Sequence, residues 1–237
     1  MINKSDSKVH SLATVPIPGQ APSISMMVVL SSIAMVSGFL VVLISQLTAP
    51  IIAENQRRAI ERALVQVIPA SVSHEEFLLQ DGKLLPAGES ATGESVYAGY
   101  DANGELVGIA ARAAAQGYAD MIHLLYGYDP ACECIRGIRV LKMAETPGLG
   151  DKIIKDANFQ ANFDALDARV DMQQMALANP IITVKHGSKQ HPWEIDAISG
   201  ATISAKAVGK ALNQSAQMLL PQLQPLMQQI GRQEQQP

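Results

Sequence analysis

Asp196-Ala197-Ile198-Ser199-Gly200-Ala201-Thr202-Ile203-Ser204 decides how the domain around it is read. The stretch has the form of a strand-to-helix turn. Gly200 permits backbone angles, or a close approach, that a side chain would forbid. Thr202 and Ser204 are both good N-cap residues. The helix they introduce reads from Ser204 to about Leu220, with Val208, Leu212 and Leu219 roughly on one face. The N-terminus of such a helix turns free N–H groups and a partial positive charge outward, which suits a phosphate. Ala201 is small and leaves room there. The plain alternative is an ordinary capped helix start. At average residue usage, a D-x-x-[ST]-G-A-T match arises by chance in about one chain in a few thousand.

Working outward toward the N-terminus, Ile181 to Val184 is one strand candidate. Before it stands Ala144-Glu145-Thr146-Pro147-Gly148-Leu149-Gly150-Asp151-Lys152-Ile153. Pro147 and Gly148 mark a turn, and Gly150 keeps the backbone open. A loop of this kind can approach a flat ring or a phosphate closely, or it can simply join a strand to a helix. Two hairpins precede it. One turns at Asn103-Gly104, a strong hairpin dipeptide; the other has a longer turn near Asp129-Pro130. The expected fold class is α+β, a small domain over residues 71–220 with a mostly antiparallel sheet and flanking helices. Residues 221–237 form a C-terminal tail rich in Gln and Pro, whose last dozen residues read as frayed.

Farther out, no charged residue or histidine occurs between Ser11 and Ala53. Residues 23–48 are apolar enough for a single transmembrane helix, which needs about 20 such residues. A cleaved signal peptide has a shorter apolar core nearer the chain start, so a retained anchor in the lipid bilayer is expected. Ala34 and Gly38 form a small-xxx-small pair, either a close-packing site for another helix or a chance pair. Residues 1–22 read as a disordered tail. Residues 49–70 read as a helical stalk, with Ile52, Ile60, Leu64 and Val67 on one face and Pro69 near its end. Lys4 and Lys8 before the span, against Arg57, Arg58 and Arg62 after it, lean slightly against an external C-terminal domain.

The Asp196–Thr202 stretch resembles the flavin-attachment motif of the FMN-binding domain family. That family includes the RnfG component of the Rnf electron-transport complex and the NqrC component of the sodium-translocating NADH:quinone reductase. The 144–153 stretch resembles the family's second segment, and the likeness covers roughly residues 25 to 215. The resemblance implies FMN, bound covalently through its phosphate to Thr202. Asp196, Ser199, Gly200 and Ala201 would form the recognition sequence for a separate flavin transferase that uses FAD as donor. Glu145, Thr146, Pro147, Gly148, Leu149 and Gly150 would line the flavin. It implies an electron-transfer subunit of a ferredoxin- and NAD-linked, ion-translocating complex, partnered by the other subunits. The complex would lie in the bacterial inner membrane, with the C-terminal domain on the periplasmic side. The wording of the second segment is closer to the RnfG type than to the NqrC type. The chain departs from the family pattern at Met143, where a His is often found, and after Gly117-Tyr118, where Ala-Asp follows.

Composition excludes other classes. The 237 residues allow one ordinary domain plus an anchor. Aromatic residues make up 4% and the net charge is -4, so a nucleic-acid partner is not expected. The histidines (His10, His74, His123, His186, His191) form no ligand pattern, and no metal site and no catalytic residue of its own are expected. No G-x-G-x-x-G fingerprint for a nicotinamide occurs. Cys132-Glu133-Cys134 is a metal-ligating pair, a disulfide, or two small residues in a turn. The competing functions are an NqrC-like flavoprotein of the quinone reductase and a membrane-tethered scaffold without flavin.

Overall fold

The computed structural model describes residues 23–80, 82–87, 93–227 and 229–231. The expected tail at 1–22 lies outside them. The first element, α1, is assigned to Ser23–Val67. The chain divides into two compact units after Glu54.

In the first unit the apolar side chains of α1 are exposed, and the helix is long and apolar enough to cross a membrane. Two of its hydroxyls bond back to the helix's own backbone. Ser32 Oγ donates to the Val28 carbonyl at 2.8 Å, and Thr48 Oγ1 to the Ile44 carbonyl at 2.9 Å. Such back-bonding lets a hydroxyl sit on an apolar helix face with its donor paired. Ile52, read on one helical face with Ile60, Leu64 and Val67, is exposed and belongs to this apolar unit.

The second unit is built on a seven-stranded antiparallel sheet in the order β2-β1-β3-β4-β5-β6-β7. The strands are β1 (Ser73–Gln80), β2 (Lys83–Pro86), β3 (Glu94–Tyr100), β4 (Leu106–Gln116), β5 (Met121–Asp129), β6 (Cys134–Lys142) and β7 (Leu166–Asp167). Both expected hairpins form. At the first turn Gly104 takes φ +77, and the Asp101 carboxylate accepts from the Asn103 and Glu105 N–H groups. Those bonds, the Glu105 N–H foremost, hold the Asp101 carboxyl below the usual carboxylate range. At the second turn Cys132 and Cys134 are joined as a disulfide. Short helices α2 (Lys152–Lys155) and α3 (Ala157–Gln160) follow the sheet's sixth strand. Next come a small hairpin, β8 (Val170–Asp171) with β9 (Ala176–Leu177), and a parallel pair, β10 (Ile182–Val184) with β11 (Glu194–Asp196).

Alternation in the strands sends side chains to two faces. One face, with Ile109, Ala111, Leu124 and Tyr126, packs under helix α4 (Thr202–Leu223), whose Ala205, Val208, Leu212, Ala216 and Leu219 form its buried stripe. On the other face Tyr97, Ala110 and Leu125 receive Ala63, Leu64 and Val67 from the end of α1, and Ile68 just beyond it. The strands carry glycines under that seat. A Cβ on Gly127 would overlap the Val67 carbonyl oxygen, so a glycine there lets the α1 backbone reach the sheet.

The C-terminal boundary differs from the sequence reading. Helix α4 continues to Leu223 with Pro221 inside its last turn. Pro221, Leu223 and Ile230 are buried, and the Gly231 carbonyl accepts from the Leu106 N–H at 3.3 Å. Burial of these apolar groups outweighs the helix cost of a proline, about 3 kcal/mol. Residues 232–237 lie outside the described ones.

Candidate functional site

β11 ends at Asp196 and α4 starts at Thr202, so the quoted stretch is a strand-to-helix turn. Asn162, in the 3-10 turn Ala161–Phe163, pins the strand's end. Its Oδ1 accepts from the Asp196 N–H at 2.9 Å, and its Nδ2 donates to the Asp196 carbonyl at 3.3 Å. The Asp196 carboxylate accepts from the Gly187 N–H at 2.7 Å and faces His186 Nδ1 at 3.3 Å. Asp196 therefore braces the neighbouring turn. Glu194 does similar work: it accepts from the Gln190 and His191 N–H groups at 2.7 and 3.1 Å. The Gln190 N–H is the main cause of a Glu194 pKa below the ordinary value. Its stabilisation is therefore present above the unfolded carboxylate pKa and is lost as pH falls through the lowered one.

Gly200 takes φ +81, the left-handed region that favours glycine. Ser199 and Gly200 are exposed, and Ala201 is buried. Ala201 occupies the N-cap position and no side chain caps the helix. Neither Thr202 nor Ser204 takes the capping role available to it from sequence. The first N–H groups of α4 thus lack intrahelical acceptors. Thr202 is the first helical residue and is exposed; its hydroxyl donates weakly to the Ile198 carbonyl at 3.3 Å.

Ser204 is buried and donates to the Glu145 carboxylate at 2.5 Å. Glu145 is only 8% exposed. Its other oxygen accepts from the Tyr118 and Ala119 N–H groups at 2.9 and 3.2 Å. Gly117 and Gly150 stand against the same carboxylate so closely that a Cβ on either would overlap it. Glu145 is therefore turned inward and ties the 117–119 loop, the 145–150 loop and α4 together. Thr146, Pro147, Gly148 and Leu149 face outward on that loop, and Gly150 is buried. Removing the carboxylate in Glu145→Ala strands two backbone donors and a hydroxyl. A loss of about 3 kcal/mol is expected, read as a lower thermal midpoint; an unchanged midpoint would refute the tie.

The sequence reading gave no role to Lys152, Asn162 or Tyr118. Lys152 Nζ stands 3.9 Å from where a Cβ on Gly200 would lie, and no ion pair to it occurs among the described residues. Its only sequence signal was its place at the end of the second motif. Tyr118, Leu149 and Ile203 are exposed large hydrophobics at 69%, 51% and 54%. The donor set fits a phosphate ester: an exposed hydroxyl on an uncapped helix N-terminus, with an ammonium across the turn.

The FMN-binding domain family matches residues 117–217, and the RnfG N-terminal region matches residues 28–67. The G-type component of the ion-translocating oxidoreductase complex of Haemophilus influenzae is 30% identical over 77% of this chain and 81% of that protein. The G-type component of the Na(+)-translocating ferredoxin:NAD(+) oxidoreductase complex of Acetobacterium woodii is 36% identical over 52% of this chain. There the match spans about half of the relative's length, 54%. In fold, this chain is similar to the solved structure of the C-type component of Na(+)-translocating NADH-quinone reductase from Parabacteroides distasonis. That likeness has a TM-score of 0.55 and 20% identity, over 76% of this chain and 94% of the other. The span-like helix, the sheet with its flavin-family segments and the length of the Haemophilus match agree: this chain belongs to the RnfG family of ion-translocating oxidoreductase complexes.

Proposed function

We propose that this chain is a membrane-anchored electron-transfer subunit that carries FMN through a phosphodiester on Thr202, within a ferredoxin- and NAD-linked ion-translocating complex. The observation that carries the reading is Thr202 itself. It is exposed at the uncapped start of α4, inside the Asp196–Thr202 motif, with Lys152 across Gly200. Bound FMN would supply one- and two-electron redox chemistry, while the protein sets its place and potential.

In the attachment step the Thr202 oxygen bonds the phosphorus on the riboflavin side of FAD. The pyrophosphate bond breaks, AMP leaves, and the flavin transferase takes the hydroxyl proton. The ester lies far from the isoalloxazine ring and leaves it chemically free. The helix N-terminus and Lys152 would offset the remaining negative charge. Exposed Tyr118, Leu149 and Ile203 offer apolar surface to a flat ring.

The domain faces the outside of the inner membrane in this reading. The Cys132–Cys134 disulfide supports it, because disulfides persist in oxidising compartments. The arginines at 57, 58 and 62 weigh the other way. Accessibility of an introduced surface cysteine to an impermeant reagent decides the side.

The test is production with and without an active flavin transferase, read by fluorescence of the denatured band and by intact mass. One added FMN, mapped to Thr202, is the expected result. An unmodified mass despite an active transferase would leave Thr202 a structural residue and favour the scaffold reading. Lys152→Met should slow incorporation about tenfold through the lost charge–phosphate contact, and Lys152→Arg should restore most of the rate. Equal initial rates in all three proteins would remove Lys152 from the site.

A further inference from the structure

Helix α4 is charged the wrong way round for its own stability. Acids near a helix start and cations near its end are the favourable arrangement. α4 has no acid in its first turn and no base in its last. Its charged residues are Lys206 and Lys210, both in its first nine residues. They lie one and two turns behind Thr202, about 6 and 12 Å along the axis. Side chains four apart share a face, so Thr202, Lys206 and Lys210 form one strip. All three are exposed, and no ion pair to either lysine occurs among the described residues.

Strand β10 widens this strip. It runs antiparallel to α4: the Ile181 N–H donates to Asn213 Oδ1 at 2.9 Å, and Thr183 Oγ1 donates to the Ala205 carbonyl at 3.4 Å. A Cβ on Gly209 would overlap Thr183 Oγ1, so that glycine lets the strand lie close to the helix. Ile182, between the two anchors, is 42% exposed. Lys185 follows the strand toward the Thr202 end of α4 and is exposed. The acids of the adjoining strand are already engaged. Glu194 accepts from the Gln190 and His191 N–H groups, and Asp196 accepts from Gly187 N–H and faces His186. The face thus presents three lysines around Ile182, on a chain whose net charge is -4. A phosphodiester on Thr202 carries a single negative charge, and Lys210 lies a further turn from it than Lys206. Three ammonium groups exceed what that ester neutralises.

We propose that this face docks an acidic surface of another subunit, the one that exchanges electrons with the flavin. Its carboxylates meet Lys185, Lys206 and Lys210 around an apolar contact at Ile182. The inference rests on the reading of Thr202 as the flavin site. An occupant held across Lys206 and Lys210 lies beside the ester, within reach of the flavin attached there.

The test uses the purified complex. A zero-length carbodiimide joins an ammonium directly to a carboxylate as an amide, with loss of water, and peptide mapping then names both partners. Amide links from Lys206 or Lys210 to an Asp or Glu of another subunit are expected. Lys185→Glu combined with Lys210→Glu should slow reduction of the flavin by NADH in the complex about tenfold at low ionic strength, with the gap closing as salt rises. Covalent flavin content and the thermal midpoint of that variant should stay at the wild-type values. An equal rate at low salt and full flavin content overturns the docking face and leaves the flavin reading standing. Links within this chain alone, or none, also overturn it. So does protection of the lysines from acetylation by phosphatidylglycerol vesicles but not by the complex. Loss of flavin from the double variant assigns the lysines to attachment and overturns docking. A wild-type chain without covalent flavin, despite an active transferase, overturns both readings.

Discussion

Thr202→Ala should carry no covalent flavin while folding as well as the wild type. In the proposed attachment the substitution deletes the one oxygen that would form the ester bond, so a complete loss is expected. The structural cost is small because Thr202 is exposed and its hydroxyl makes a single long bond, 3.3 Å to the Ile198 carbonyl. Alanine is also the better helix former at such a position, so the thermal midpoint should change by less than about 2 °C. Thr202→Ser keeps an oxygen at the same place and separates chemistry from recognition. A serine variant that remains unmodified means that the transferase reads the methyl group. A fully flavinylated alanine variant places the bond elsewhere. Mass and melting temperature, measured on the same samples, decide between these outcomes.

Gly127→Val should be the most destabilising single substitution in the second unit. A Cβ at 127 would overlap the Val67 carbonyl oxygen and crowd Val67 Cβ at 3.1 Å. The obstacle is backbone, so no rotamer change relieves it. Either the end of α1 lifts from the sheet or β5 moves. Lifting exposes Ala63, Leu64 and Val67, which are all buried. Overpacking of this kind costs about 3 kcal/mol, a fall of about 10 °C in the midpoint for a domain of this size. Gly137→Ala is the internal control, because its nearest neighbour, Val67 Cα, lies at an ordinary 3.6 Å. Thermal unfolding of both variants, as full chains in detergent, tests the contrast. Equal midpoints would mean that α1 is not seated there.

The features legible in the sequence are those with local causes. The apolar span follows from an uninterrupted run, the first hairpin from Asn103-Gly104, and the strand-to-helix turn from Gly200. The stalk's buried face was readable at Ile60, Leu64 and Val67, yet the period carried on into Ile52, where burial by protein ends. What stayed hidden depends on residues distant in sequence. Glu145 looks like a loop carboxylate facing a ligand. Only the fold brings Tyr118, Ala119 and Ser204 around it. Asn162 has no motif at all, and its part is set by Asp196 arriving beside it. Pro221 suggested a helix end, because the buried surface beneath it is contributed by other strands. The pairing of Cys132 with Cys134 was one of three open possibilities.

Gly117, Glu145, Gly150 and Ser204 have a consequence for how this family changes over time. The two glycines hold space for one carboxylate, and the serine and the 118–119 backbone supply its partners. Any larger residue at 117 or 150 displaces the acid, and any residue other than an acid at 145 leaves the space and the donors without a purpose. The four positions should therefore vary as one character. Among relatives they should be kept together or exchanged together. A chain that combines Gly117→Ala or Gly150→Ala with an intact Glu145 and Ser204 should be rare, and poorly folded when made.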